Sequence, residues 1–356
     1  MKSSPKTPSW KTLLRRSVET PKALAGRIPI DPLKIKPVTD QYPMRINPYF
    51  LELAIKAGRP ILDQVVPDPR ELEDSIGMDD PLAEDANSPV PQITHRYPDR
   101  VLFTVASVCA VYCRFCTRKR RVGRGKAVSV REIDDGIRYI RMTPAVRDVL
   151  VSGGDPLMLS DERLEWILRR LREIPHVETI RLGTRMPCVL PSRVTPALAK
   201  TLKKIRPLYI NVHFNHPAEL TPAAARACGR LSDAGAVLGN QTVLLRGVND
   251  DASVLAGLFR GLLKIRVRPY YLLQTDLTKG TDHFRTTIET GLAIMDRLRG
   301  HVTGLALPHY VVDLPGGGGK VPLVPGYTLR KERGDWIFRN YLGAEYRYPA
   351  PAGSEP

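Results

Sequence analysis

From residue 100 onward the chain repeats one pattern: short apolar runs rich in β-branched residues, separated by segments with a helical apolar stripe. The runs VLFTVAS, RDVLVSG, TIRLGT, LYINVHF, VLGNQTVLL and RPYYLL follow one another at a spacing of about thirty residues, the length of a βα unit. Parallel neighbours need a crossover of that kind, and the right-handed sense returns each strand beside the last. Six parallel strands covered by helices are therefore expected, open or rolled into a barrel. Between the second and third runs, Ser160 is placed to cap a helix whose Asp161 and Glu162 suit its positive end. Leu164, Ile167, Leu168 and Leu171 form its buried stripe. Before the sixth run, Asn249, Asp250 or Asp251 caps a helix with Leu255, Leu258, Phe259 and Leu262 on one face.

In a barrel, chemistry gathers on loops after the C-terminal ends of strands. Cys109 follows the first run, GGDP the second and Thr184-Arg185 the third, while His213 closes the fourth and DLTKG follows the sixth. That coincidence favours a partial (β/α)6 TIM-like barrel over an open sheet. Residues 1–95, rich in proline and charge, read as a partly helical N-terminal arm, with PYFLELAIKAG amphipathic and DPRELEDSIGMDDPLAED acidic. Residues 96–310 form the core, and 311–356 form a short C-terminal segment carrying VVDLPGGGGKVPLVPGY and a polar tail, with no further compact domain expected.

Hydrophobic content of 42% and charged content of 26% suit a soluble α/β protein, and no apolar run approaches the ~20 residues that span a bilayer. No membrane partner is expected. Pro5, Pro8 and Lys11 interrupt the basic N-terminus before an apolar core can form, which argues against a secretory leader and for a cytoplasmic protein. The net charge of +17 would attract an acidic protein, an anionic cofactor or nucleic acid. Its arginines lack aromatic interleaving or a nucleic-acid module, so a solvated basic surface is expected rather than a nucleic-acid site.

The five cysteines are odd in number, and three cluster in CAVYCRFCTRKRR, which begins at Cys109 and carries five cations. Thiolates of Cys109, Cys113 and Cys116 can bind three corners of an iron–sulfur cubane and leave a fourth iron open. The alternative is a structural zinc site completed by Cys188, Cys228 or a histidine, but zinc loops usually present paired ligands and no second C-x2-C exists. Cys188 and Cys228 lie among apolar residues and read as core thiols.

The C-x3-C-x-aromatic-C spacing, with Phe115 before Cys116, resembles the signature of radical S-adenosylmethionine enzymes. The resemblance implies a [4Fe-4S] cluster whose open iron chelates S-adenosylmethionine and cleaves it to a 5′-deoxyadenosyl radical. SGGDP resembles the family motif that holds the methionyl amino group through Gly153, Gly154 and Asp155, although a glycine-glycine-acid sequence is also an ordinary tight turn. Within the superfamily, THRYPDRVLF, CRFCTRKR, SGGDPL, GNQTVLLRGVND, DLTKGTDHFRT, LRGHVTG and VVDLPGGGGKVP are similar, in order, to the blocks of lysine 2,3-aminomutases.

That likeness implies pyridoxal 5′-phosphate held by Lys320, whose glycine-flanked amine can swing and whose neighbouring N–H groups can host an anion. Alone, Lys320 would read as a loop lysine. Arg96, Tyr97 and Arg100 match positions that bind the phosphate, or would otherwise be a surface basic cluster. Arg118 matches the partner of the substrate carboxylate, while Asp276 and Asp313 match the two anions that hold the ε-ammonium of free lysine. Either aspartate alone could be a turn residue or helix cap. His213 and Gln241 match positions near the adenosine and sulfonium, with a structural histidine as the alternative.

The implied reaction is the radical shift of nitrogen from the α- to the β-carbon of L-lysine. The implied partners are a reducing donor such as flavodoxin or ferredoxin and a second copy of the chain in a homodimer or higher homo-oligomer. No zinc is expected, because no cysteine follows Cys228. Competing readings are an aminomutase acting on glutamate, arginine or a lysine of a translation elongation factor, and a non-catalytic nucleic-acid-binding iron–sulfur protein.

Overall fold

The six expected runs all become strands, and they lie in one sheet in chain order. The computed structural model describes residues 9–124 and 127–351, so the stretch up to Pro8 that was read for a leader lies outside the described residues. The strands are β1 (Ile93–Tyr97), β2 (Arg100–Ala106), β3 (Asp148–Gly153), β4 (Thr179–Thr184), β5 (Leu208–Val212), β6 (Ala236–Leu244), β7 (Arg268–Gln274), β8 (His309–Leu314) and β9 (Gly319–Pro322). Strands β2 to β8 pair in parallel. Antiparallel β1 and β9 flank them, completing a nine-stranded, nearly closed barrel.

The α/β barrel-like architecture is as expected, with three strands more than the six runs foretold. Strand β8 was hidden because its apolar run HYVVDL is short and leads into Pro315. Strands β1 and β9 are polar edge strands, which carry no alternating apolar signature. The sheet thus runs from Ile93 to Pro322.

Helices cover the outside. Ser160 accepts from the Arg163 N–H at 3.2 Å, and the helix Asp161–Arg172 buries Leu164, Ile167, Leu168 and Leu171. Of the three candidates for the next cap, Asp251 starts Ala252–Lys264, accepting from Ser253 and Val254 N–H, while Leu255, Leu258, Phe259 and Leu262 are buried. Each such side chain contributes about 1.5–3 kcal/mol on leaving water.

The N-terminal arm belongs to the same core. Ile46, Phe50, Leu51 and Ile61 are buried in one cluster with Val149, Ile180 and Ile210 of the strands. The arm's Ile46 also bridges Val111 in the cysteine loop. After β9 the chain forms a three-stranded antiparallel sheet, β10 (Thr328–Glu332), β11 (Asp335–Arg339) and β12 (Glu345–Tyr348), where only a polar tail was expected. Salt bridges of Arg330 and Arg347 with Glu332, Glu345 and Asp335 lace it, so its strands register through charge more than through apolar alternation. Among the described residues no helix is long and apolar enough to cross a membrane.

Candidate active site

The unclosed seam of the barrel is joined by side chains. Asp313 on β8 accepts from Arg96 of β1 at 3.0 and 3.2 Å and pairs with the Lys320 amine on β9. The Lys320 backbone N–H donates to the Tyr97 hydroxyl at 2.9 Å. Arg96 and Arg100 lie over the Tyr97 ring at 5.2 and 4.2 Å. Three of the four glycines before Lys320 adopt φ between 69° and 87°, which turns the chain from β8 straight into β9.

A cavity of about 410 Å³ opens on this seam, within the range of small-molecule sites. Its wall brings together seven expected residues: Arg96, Tyr97, Arg100, Arg118, Gln241, Asp313 and Lys320. Arg181, which sequence reading passed over, adds a further cation and is held by Asp148 at 2.9 Å. A lysine amine, four arginine forks and a phenol on one wall fit a phosphorylated aldehyde. The residues that would hold pyridoxal phosphate are thus Lys320, Arg96, Tyr97 and Arg100.

Asp276 stands on the loop after β7, where its carboxylate accepts from Thr117 Oγ1 at 2.8 Å. Burial pushes its carboxyl up to about 6, Thr117 opposes the shift, and nearby Asp313 adds to it. Arg118 is engaged by Glu84 of the arm, through Nε at 2.9 Å and Nη2 at 2.7 Å.

Arg118 also lines a second hollow of about 620 Å³, together with Gly153, Gly154 and Ser107. The two glycines are there because the β2 end lies against them. A Cβ on Gly153 would meet the Ala106 carbonyl oxygen at 2.2 Å, and one on Gly154 the Val108 oxygen at 2.3 Å. Their closeness fixes the chain entering Cys109, with Gly154 N–H donating to Ala106 O and Asp155 N–H to Val108 O at 2.9 Å. The Asp155 side chain is occupied within the fold. It accepts from the Thr184 hydroxyl at 2.8 Å and from the Arg185 N–H at 2.9 Å.

Cys109, Cys113 and Cys116 share one loop, and each is partly exposed. Burial of the sulfurs raises the Cys109 and Cys116 thiols, the latter to about 11, so ionising them needs a cation, as a bound cluster supplies. The surroundings fit that demand: the positive charges of Arg118 and Lys119 favour a Cys116 thiolate, and Arg185 Nη1 donates to Cys113 Sγ at 2.8 Å. Cys188 and Cys228 are buried in the apolar core, as read from sequence. His213 is tilted against Phe115, with ring centroids 5.5 Å apart, and its Nε2 is 3.0 Å from Asn215 Oδ1. Burial, with Arg185 adding repulsion, pushes its imidazole down to about 3 and keeps it neutral.

The acidic stretch of the arm turns out to be the counterpart of the basic loop. Glu71 takes Arg114 and Lys119, Glu84 takes Arg118, and Asp80 and Asp85 take Arg120, with Asp85 also pairing with Arg121. Sequence reading missed these roles, although the opposite charge blocks DPRELEDSIGMDDPLAED and RFCTRKRR were a signal for them.

Comparison with known proteins gives the family. Family models match for the radical SAM superfamily over residues 103–253 and for lysine-2,3-aminomutase over residues 295–355. The chain is 48% identical over 349 residues to an L-lysine 2,3-aminomutase of Acetoanaerobium sticklandii, covering 96% of this chain and 84% of that one. It is 47% identical over 354 residues to the L-lysine 2,3-aminomutase of Clostridium subterminale, covering 98% and 85%. A glutamate 2,3-aminomutase of Clostridioides difficile is 46% identical over 316 residues, covering 87% and 74%. With three clustered thiols, a lysine at the barrel seam and this degree of identity along nearly its whole length, the chain belongs to the lysine 2,3-aminomutase family within the radical SAM superfamily.

Proposed function

We propose that the protein is an L-lysine 2,3-aminomutase, an isomerase that converts L-lysine to β-lysine. The observation that carries this reading is the single cavity in which the Lys320 amine, the cations of β1 and the Asp313 carboxylate meet beside the cysteine loop. Cys109, Cys113 and Cys116 would hold a [4Fe-4S] cluster, with Gly153, Gly154, Asp155, His213 and Gln241 around S-adenosylmethionine. Bound there, the cluster and S-adenosylmethionine supply a hydrogen-abstracting radical, and pyridoxal phosphate supplies the carbonyl that carries the migrating nitrogen.

The chain's own residues bind and orient. Arg118 offers a fork for the substrate carboxylate once Glu84 yields it. Lys320 gives up its pair with Asp313 when its amine engages the cofactor, which frees that carboxylate for another cation. Asp276 and Asp313 then form an anionic end suited to an ε-ammonium and repellent to a glutamate side chain. Neutral His213 and Phe115 keep water from the approach to the cluster loop. The enzyme would work in the cytoplasm as a homo-oligomer, reduced by a donor such as flavodoxin or ferredoxin.

The test is a product assay on anaerobically reconstituted protein with reductant, S-adenosylmethionine, pyridoxal phosphate and, separately, lysine, glutamate, arginine and ornithine. β-Lysine from lysine is the expected result. A β-amino product from glutamate but not from lysine would overturn the substrate assignment. Lys320→Ala should also lose the absorbance of protein-bound pyridoxal.

A further inference from the structure

Arg185, at the end of β4, is aimed at a ligand sulfur. Its Nη1 donates to Cys113 Sγ at 2.8 Å, while its Nη2 donates to Glu219 Oε1 at 2.8 Å and to Gln64 Oε1 at 2.6 Å. The rings of Phe50 and Phe115 face the guanidinium at 5.5 and 5.1 Å. Asp155 fixes the backbone from which the side chain springs, accepting from the Arg185 N–H at 2.9 Å. The Arg185 and Glu219 side chains are 8% and 0% exposed. The buried Cys188 thiol also adjoins the guanidinium.

Such an investment exceeds what a structural ion pair requires. A guanidinium and a carboxylate buried only for stability are often no better than an apolar pair of the same volume, so the arrangement calls for a function. Hydrogen bonds to sulfur and nearby charge are among the main levers on the potential of an iron–sulfur centre. Reduction adds one electron to the centre and no proton, and the added negative charge on sulfur strengthens an N–H···S bond. Glu219 works the other way, because its charge partly cancels that of the arginine.

We propose that Arg185 is a positioning residue that raises the electron affinity of the cysteine-bound centre through Cys113, and that Glu219 limits the effect. The inference rests on the reading that Cys109, Cys113 and Cys116 hold an iron–sulfur cluster. It gives the acid of the SGGDP motif a further task in this chain, that of seating Arg185.

The experiment is an anaerobic dithionite titration of the reconstituted full chain, without S-adenosylmethionine or lysine, followed by electron paramagnetic resonance of the reduced cluster. Iron and sulfide are counted per chain in every sample. Arg185→Met should shift the midpoint to lower potential, Arg185→Lys by less, and Glu219→Gln to higher potential. A merely structural role would lower cluster content in all three and leave the potential of the surviving clusters where it was, which would overturn the proposal. If Arg185→Met fails to assemble, the upward shift in Glu219→Gln decides, and an unmoved midpoint there equally overturns it. A wild-type chain that binds no iron would instead sink the underlying cluster reading.

Discussion

Replacing Glu71 with leucine should cost about 3–5 kcal/mol, the penalty for removing one partner from a buried ion pair. Glu71 is 0% exposed and faces Arg114, 1% exposed, the residue that follows Cys113. It also takes the Lys119 amine at 2.6 Å, with that side chain 4% exposed. Burial disfavours the Glu71 charge, but Arg114 and Lys119 outweigh this and hold its carboxyl below the usual range. Two cations therefore lose the anion they share at once. Part of the loss is offset, because Arg114 still donates to Pro43 O at 2.9 Å, and Lys119 to the carbonyls of Arg114 and Gly280 at 2.9 and 2.7 Å. The lower end, about 3 kcal/mol, is the better expectation on that ground. Urea unfolding of the cluster-free protein, followed by circular dichroism, is the assay, and with a slope of about 3 kcal/mol per molar the midpoint should fall by about 1 M. Because the carboxyl is depressed in the native state, the contribution is present above the unfolded glutamate value and fades as pH falls through it, so the difference between variant and parent should shrink in acid. A loss under about 1 kcal/mol at neutral pH would refute the reasoning, and so would a difference that does not change in acid.

Lysine binding should weaken as pH falls through about 6, because protonation there removes the Asp276 anion. The KM for lysine should rise by up to about tenfold per pH unit below that point, whereas Asp276→Asn should give a high KM that is flat across the same window. Gly154→Ala should drive its new methyl into the Val108 backbone and displace the approach to Cys109, lowering bound iron per chain while far-UV circular dichroism stays near that of the parent. Cys228→Ala, buried in the apolar core, and Cys188→Ala, buried beside Arg185, should leave bound iron unchanged; a drop in either would assign that thiol to the metal site.

Local signals were legible from sequence because their physics is local. Short apolar runs rich in β-branched residues became β2 to β7, Ser160 and Asp251 became caps, and a spacing of three and two residues put three thiols on one loop. Lys320 was found by its glycine run and by likeness of blocks, since nothing in a lone lysine marks it. What sequence could not show is which charges meet. Glu71 and Arg114 are 43 residues apart, Cys113 and Arg185 are 72 apart, and Arg96 and Asp313 are 217 apart. Those contacts exist only once the parallel register brings the ends of β2, β3 and β4 together and the barrel draws β1 toward β8 and β9. Taken alone, neither the acidic arm nor the basic loop names its partner, and closure of the fold is what brings them against each other, because a charge taken out of water must find its partner there.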